Sequence, residues 1–279
     1  MTSIQEIISF IPNCKIESDH ITLFSSISSL CTSKAALEQF EKSQQFWNEL
    51  QALIKGSSVL NETSTSLAVA SAFLLAVRKL CDYDGEPIRD GSTINKENAK
   101  KLVATTGVCD LTVRYMNQHY TDADAAYNAC FAVASMNYEY SDDTTRKILG
   151  DLGACEAVVK SLRQHCTADS SRQCQDIATQ ACRAIAYLSY NSANRVCLGS
   201  AGACEAVVEA LRKHAASSEK VAEYGCWAVG MLSYKDANVT RFKSISDTKK
   251  LLEAVRDNPA YSGEDAEYWA KEALRNLGY

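Results

Sequence analysis

Apolar residues recur through most of this chain at intervals of three and four, the spacing that places side chains on one face of an α-helix. Three pairs at i and i+3 mark one set of helices: Val113 with Met116, Val159 with Leu162, and Val208 with Leu211. A second set is marked by Val133 with Met136, Ile185 with Leu188, and Val229 with Leu232. Gly107, Gly153 and Gly202 precede the first set and predict a break after a short leading helix. Asp110, Glu156 and Glu205 follow in the opening turn, where a carboxylate meets the partial positive charge of a helix start. His119, His165 and His214 close these helices. The pattern predicts an all-α protein with three helices per unit. The most apolar run, residues 67–77 (LAVASAFLLAV), is about half the roughly 20 residues needed to cross a bilayer and predicts a buried helix.

The same order of helices returns at a fixed interval. LGDLGACEAVVKSLRQH, starting at Leu149, recurs as LGSAGACEAVVEALRKH from Leu198, 49 residues later. A weaker copy, VATTGVCDLTVRYMNQH, starts at Val103, 46 residues before the middle one. Each block is followed by a second shared segment: NACFAVASMNY, QACRAIAYLSY and YGCWAVGMLSY. A period of 46 to 49 is too long for tetratricopeptide or ankyrin units and falls at the upper edge of armadillo and HEAT repeats.

The form NRVCLGSAGACEAVVEALRKH followed by YGCWAVGMLSY resembles the armadillo repeat, in which a glycine separates the first two helices and a Trp-Ala-Leu run marks the third. The likeness is specific over residues 103–234 and weaker toward both ends. Downstream, Glu272-Ala273-Leu274-Arg275-Asn276-Leu277 is similar to the third-helix signature, and upstream residues 46–56 and 67–81 read as the second and third helices of a degenerate unit. The resemblance implies a right-handed α-solenoid, an armadillo-like superhelix with an N-terminal helical cap. It forms one domain over residues 1–279, with capping helices in 1–40 and about five repeats in 41–279. Terminal faces of such a stack need capping because they would otherwise expose core. Residues 82–97, with Pro87, Gly85 and Gly91, and residues 167–175 read as surface loops and possible contact sites.

In armadillo proteins the third helices line a concave groove, so the resemblance also nominates a partner-binding face. The pairs at the groove positions are Phe131 with Ser135, Arg183 with Tyr187, Trp227 with Met231, and Glu272 with Asn276, with Leu75 and Lys79 as the upstream counterpart. Nuclear-import adaptors of this family carry Trp and Asn at these two positions, the asparagines gripping an extended peptide by its backbone. Here only Trp227 keeps the Trp and only Asn276 keeps the Asn. Replacement by Ser135, Tyr187 and Met231 forgoes about 1.5–4.5 kcal/mol of such grip, which argues against a generic import adaptor. Phe131, Arg183, Tyr187, Trp227 and Met231 are residue types that anchor protein interfaces when exposed, as they are expected to be here; the alternative is that they pack against the neighbouring third helix. Tyr138, Tyr190 and Tyr234 are expected to cap the third helices structurally.

Composition narrows the function. With 46% apolar and 23% charged residues, 12 Gly and 3 Pro, the chain is folded rather than disordered. A net charge of −5 argues against nucleic acid and gives no attraction to anionic membranes. Twelve cysteines are too dilute for a disulfide scaffold, and Glu6 stands where a secretory start would be basic, so the expected location is cytoplasmic.

The recurrent Cys109/His119, Cys155/His165 and Cys204/His214 pairs invite a metal reading, but ten helical residues leave such side chains about 80° and roughly 15 Å apart. The cysteines read instead as small buried hydrophobes and the histidines as ligands of carbonyls at helix ends. His165-Cys166 is the one pair that merits a test for a reactive thiol. With no CxxC, HExxH, phosphate loop or catalytic dyad, the expectation is a non-catalytic scaffold that binds a protein or peptide partner, without cofactor or metal. The alternative is a regulatory armadillo module recognised by a small GTPase or kinase.

Overall fold

The computed structural model describes residues 1–31, 34–62, 64–81, 93–137, 143–166 and 171–279, and all regular elements among them are helical. The chain divides into two compact units, Met1–Ser141 and Asp142–Tyr279.

The N-terminal unit contains α1 (Ile4–Phe10), α2 (Glu17–Leu30), α3 (Lys34–Lys42), α4 (Gln44–Gly56), the single turn α5 (Ser58–Asn61), α6 (Leu67–Cys81), α7 (Thr93–Ala104), α8 (Val108–Gln118) and α9 (Ala123–Met136). Helices α3, α4 and α6 form one triplet and α7, α8 and α9 the next, with α6 packed on α9 and α3 on α7. Helix α2 packs on α6 as α6 does on α9, so the cap stands in the position of a third helix. Its Phe24 meets Phe73 of α6 edge to face at 5.3 Å, and Phe73 meets Tyr115 of α8 at 5.4 Å. These rings form one continuous core, each pair adding about 0.5–1.5 kcal/mol beyond burial. The 67–77 run lies in α6, whose Val69, Ala70, Phe73, Leu74, Ala76 and Val77 are buried. No helix among the described residues is long and apolar enough to cross a membrane.

The C-terminal unit contains three triplets: α10 (Asp143–Asp151), α11 (Ala154–Cys166) and α12 (Arg172–Leu188); α13 (Ser192–Ala201), α14 (Ala203–His214) and α15 (Glu219–Leu232); α16 (Asp236–Ser244), α17 (Thr248–Arg256) and α18 (Asp265–Leu277). The third helices pack in series, α12 on α15 and α15 on α18. Alanine and cysteine let them approach: Ala181, Cys182, Ala184 and Ala186 of α12 and Cys226 and Ala228 of α15 are all buried.

The three glycines before the second helices have φ of +94°, +89° and +86°, the left-handed region that a Cβ disfavours by about 1–2 kcal/mol. Both sets of i, i+3 pairs are buried, as their spacing predicts. The leading helices are joined by an interlock that the pattern does not reveal. Asn194 Nδ2 donates to Arg146 O at 2.8 Å and Asn238 Nδ2 to Arg195 O at 3.0 Å, each asparagine lying against Gly150 or Gly199 of the preceding leading helix.

The histidines are placed differently from one another. His119 Nε2 meets Thr65 O at 2.9 Å, a carbonyl just before α6 rather than one at the end of its own helix, so it ties two triplets together. His165 and His214 are buried. Cys109, Cys155 and Cys204 are buried, in keeping with their reading as small hydrophobes.

Candidate functional site

The nominated face of the C-terminal unit is built on α12, α15 and α18. Serines begin the first two of these helices, where Ser171 and Ser218 accept from the backbone N–H groups of Cys174 and Val221. Each of the two ends with a serine whose hydroxyl donates back one turn, Ser189 to Ile185 O at 2.7 Å and Ser233 to Val229 O at 2.6 Å.

The side chains expected to stand out from these helices turn inward instead. Trp227 is 6% exposed and lies at the centre of an aromatic cluster. Tyr187 meets it edge to face at 4.8 Å, Trp269 stacks on it at 5.1 Å with 22° between the planes, and Tyr224 and Tyr190 lie at 6.0 and 6.4 Å. Tyr187 and Met231 are buried as well. Expected exposure therefore gives way to packing between successive third helices, because a position that faces away from its own triplet is covered by the helix next along. Phe131 is also buried, on α9 of the N-terminal unit, with Tyr127 of the same helix at 6.0 Å and the guanidinium of Arg78, from the preceding third helix α6, 4.9 Å from its ring centre.

Three nominated residues keep partial exposure. Arg183 lies half-buried, its guanidinium 5.7 Å from the Tyr187 ring centre and 5.9 Å from that of Tyr224. Glu272 pairs with Arg275. Asn276, the asparagine retained from the family pattern, donates to Gly230 O at 3.2 Å, so its amide already holds a neighbouring helix. Upstream, Leu75 and Lys79 are half-buried on α6 of the N-terminal unit.

Of the tyrosines expected to cap third helices, Tyr190 and Tyr234 give their backbone N–H groups to Tyr187 O at 3.2 Å and Met231 O at 3.4 Å, while the side chains of Ser189 and Ser233 hold Ile185 O and Val229 O. Tyr190 remains 39% exposed with the Arg146 guanidinium 5.0 Å from its ring centre, and Tyr234 is 61% exposed. Tyr138 lies outside the described residues. Sequence reasoning passed over Tyr268, 55% exposed on α18 and edge-on to the half-buried Trp269 at 5.0 Å. The aromatic run Tyr268-Trp269, one turn ahead of the Glu272–Leu277 signature, was the available signal.

One ion pair on this face involves a buried carboxylate. Glu223 is buried on α15, and burial raises its carboxyl above the ordinary carboxylate range, while Lys220 Nζ at 2.6 Å acts in the opposite direction. A raised carboxyl pKa means that the fold binds this proton more tightly than the unfolded chain does. The cost of the charged form is therefore present above the folded pKa and relieved as pH falls through it. Lys220→Met removes the counter-charge, so it is expected to destabilise the unit on the order of 1 kcal/mol at pH 7 and less at pH 5. Urea midpoints at the two pH values measure this, and an equal loss at both would mean that Glu223 is not the group involved.

No group of three or more His, Cys, Asp or Glu among the described residues is placed to hold a metal ion. No family model matches the chain, and no curated protein sequence matches it. Solved structures do. A designed armadillo repeat protein is similar over 98% of this chain and 98% of its own, with a TM-score of 0.70 at 17% identity. Two engineered proteins, each 16% identical, give TM-scores of 0.69 (99% of both chains) and 0.68 (98% of this chain, 96% of the other). At such identities the likeness speaks for the fold alone, and that fold is the armadillo-type helical repeat.

Proposed function

We propose that the protein is a non-catalytic interaction scaffold, cytoplasmic in location, that takes a protein or peptide partner on its third-helix face. The observation that carries this reading is the row of accessible side chains on α12, α15 and α18: Arg183, Tyr224, Trp269, Glu272 and Asn276 half-buried, with Tyr268 exposed. Aromatic and arginine side chains supply much of the binding energy of protein interfaces, about 2 kcal/mol or more for a single well-buried one. Tyr187, Trp227 and Met231 lie buried on α12 and α15 beneath the row, where successive third helices pack on one another. The net charge of −5 speaks against nucleic acid as the partner.

The test is a paired affinity capture from source-cell lysate with the natural protein and the Arg183→Gln/Tyr268→Ala variant, read by quantitative mass spectrometry. Proteins held by the natural chain are expected to fall at least tenfold with the variant, whose melting temperature shifts by only a few degrees. An unchanged set of captured proteins would remove the third-helix face from consideration.

A further inference from the structure

Of the twelve cysteines, eleven are buried and one, Cys197 on α13, is half-exposed. Its surroundings are chemically distinctive. The Cys197 thiol donates to Glu156 Oε1 at 3.0 Å, and Glu156 directly follows Cys155 at the start of α11. Cys155 in turn lies 4.0 Å from Asn194 O, one helical turn before Cys197, so each sulfur sits against the segment that carries the other. Both contacts gather the two thiols into the same small region between α11 and α13. The result is a buried thiol, a half-exposed thiol and an exposed carboxylate brought together across two helices packed side by side.

We propose that Cys155 and Cys197 form a covalent modification site, a dithiol that a peroxide-class oxidant closes to a disulfide joining α11 to α13. Glu156 takes the Cys197 proton, and the thiolate attacks one peroxide oxygen. An S–O bond forms, the O–O bond breaks, and the departing hydroxide leaves as water with the proton that Glu156 held. Cys197 is then a sulfenic acid. The Cys155 sulfur attacks the Cys197 sulfur, its own proton leaving with the hydroxyl as a second water, so the S–S bond forms as the S–O bond breaks. Hydrogen peroxide is reduced by two electrons and the two thiols are oxidised by two. Roles follow from access: the half-exposed Cys197 meets the oxidant, and the enclosed Cys155 resolves the intermediate. Burial and the adjoining carboxylate push the Cys197 thiol up to about 11. It is therefore a slow thiol that responds to sustained oxidant, not a peroxidatic cysteine.

The site differs from His165-Cys166, the pair that local sequence singled out, because Cys166 and the nearby Cys174 are both buried. The linked residues belong to the second helix of one triplet and the first of the next, so the bond would staple consecutive repeats. A cross-link between residues so far apart in sequence restricts the unfolded chain and is expected to raise the melting temperature by several degrees.

The experiment treats the native protein with hydrogen peroxide, quenches with catalase, alkylates all remaining thiols after denaturation, and maps the peptides. The expected result is a loss of two hydrogens, ten of the twelve cysteines alkylated, a Cys155–Cys197 linked peptide, and reversal by dithiothreitol. Cys197→Ser, at a half-exposed position that tolerates the change, should form no such link. Glu156→Gln, on the surface, should slow closure severalfold without altering the circular dichroism spectrum. The proposal is overturned if all twelve thiols remain alkylatable, if the link joins other cysteines such as Cys166 and Cys174, or if Cys197 proceeds to sulfinic acid while Cys155 stays reduced.

Discussion

Trp227→Ala is expected to lower the unfolding free energy of the C-terminal unit by about 3–5 kcal/mol. The indole touches four rings contributed by three consecutive third helices, so its truncation opens a void that none of them can fill without breaking another contact. Trp227→Phe should cost much less. It keeps an aromatic ring in the cluster and removes an indole N–H that has no acceptor among the described residues. Tyr268→Ala, at an exposed position, should stay within about 1 kcal/mol. Urea titration followed by circular dichroism ranks the three variants. A loss below about 1 kcal/mol for the alanine variant at Trp227 would mean that this side chain is not the centre of the packing.

The second large effect is expected at the interlock between leading helices. A Cβ built on Gly199 would stand 1.9 Å from Asn238 Oδ1, and one on Gly150 would stand 1.9 Å from Asn194 Oδ1. Neither asparagine is free to swing away. Asn238 donates to the carbonyls of Arg195 and Leu232, and Asn194 donates to Arg146 O while its partner Asn191 caps α13. Gly199→Ala should therefore cost about 2–4 kcal/mol, combining overpacking with a strained or broken buried hydrogen bond. In the Asn238→Ala background the same glycine substitution should cost far less, because what remains in its way is Arg241 Nη1 at 2.7 Å, the free-moving end of a long side chain. A double-mutant cycle reads the coupling directly, and additive losses would show that the two residues do not contact each other.

These two sites also show where sequence reasoning reached and where it stopped. The all-helical class, the triplets and the buried stripes were legible because their signals lie within one helix, at i+3 or i+4, or recur after a fixed period. Gly107, Gly153 and Gly202 were legible because a positive φ is a local demand on a single residue. What failed was the exposure of Phe131, Tyr187, Trp227 and Met231. A helical wheel drawn for one helix calls them outward-facing, yet their covers come from neighbouring triplets, Trp227 over Tyr187 and Arg78 over Phe131, some forty to fifty residues away along the chain, where single-helix periodicity carries no information. Asn194 against Gly150 and Cys197 against Cys155 were missed for the same reason. Each residue is ordinary in its own helix and acquires its meaning only from the helix beside it. Tyr268 is a different case, because its signal is the aromatic pair Tyr268-Trp269 itself, which lies one turn before the Glu272–Leu277 signature and outside it.

The stacking of Trp227 on Trp269 has one more consequence. Indoles held 5.1 Å apart and 22° from parallel couple their excited states, so the seam between α15 and α18 should give a paired-sign band in the ultraviolet dichroism that a lone indole cannot produce. The third tryptophan, Trp47, lies in the other unit and packs on Phe46 instead. The C-terminal unit therefore carries its own optical gauge, sensitive to sliding of α15 against α18, and it needs no attached dye to report when something settles on them.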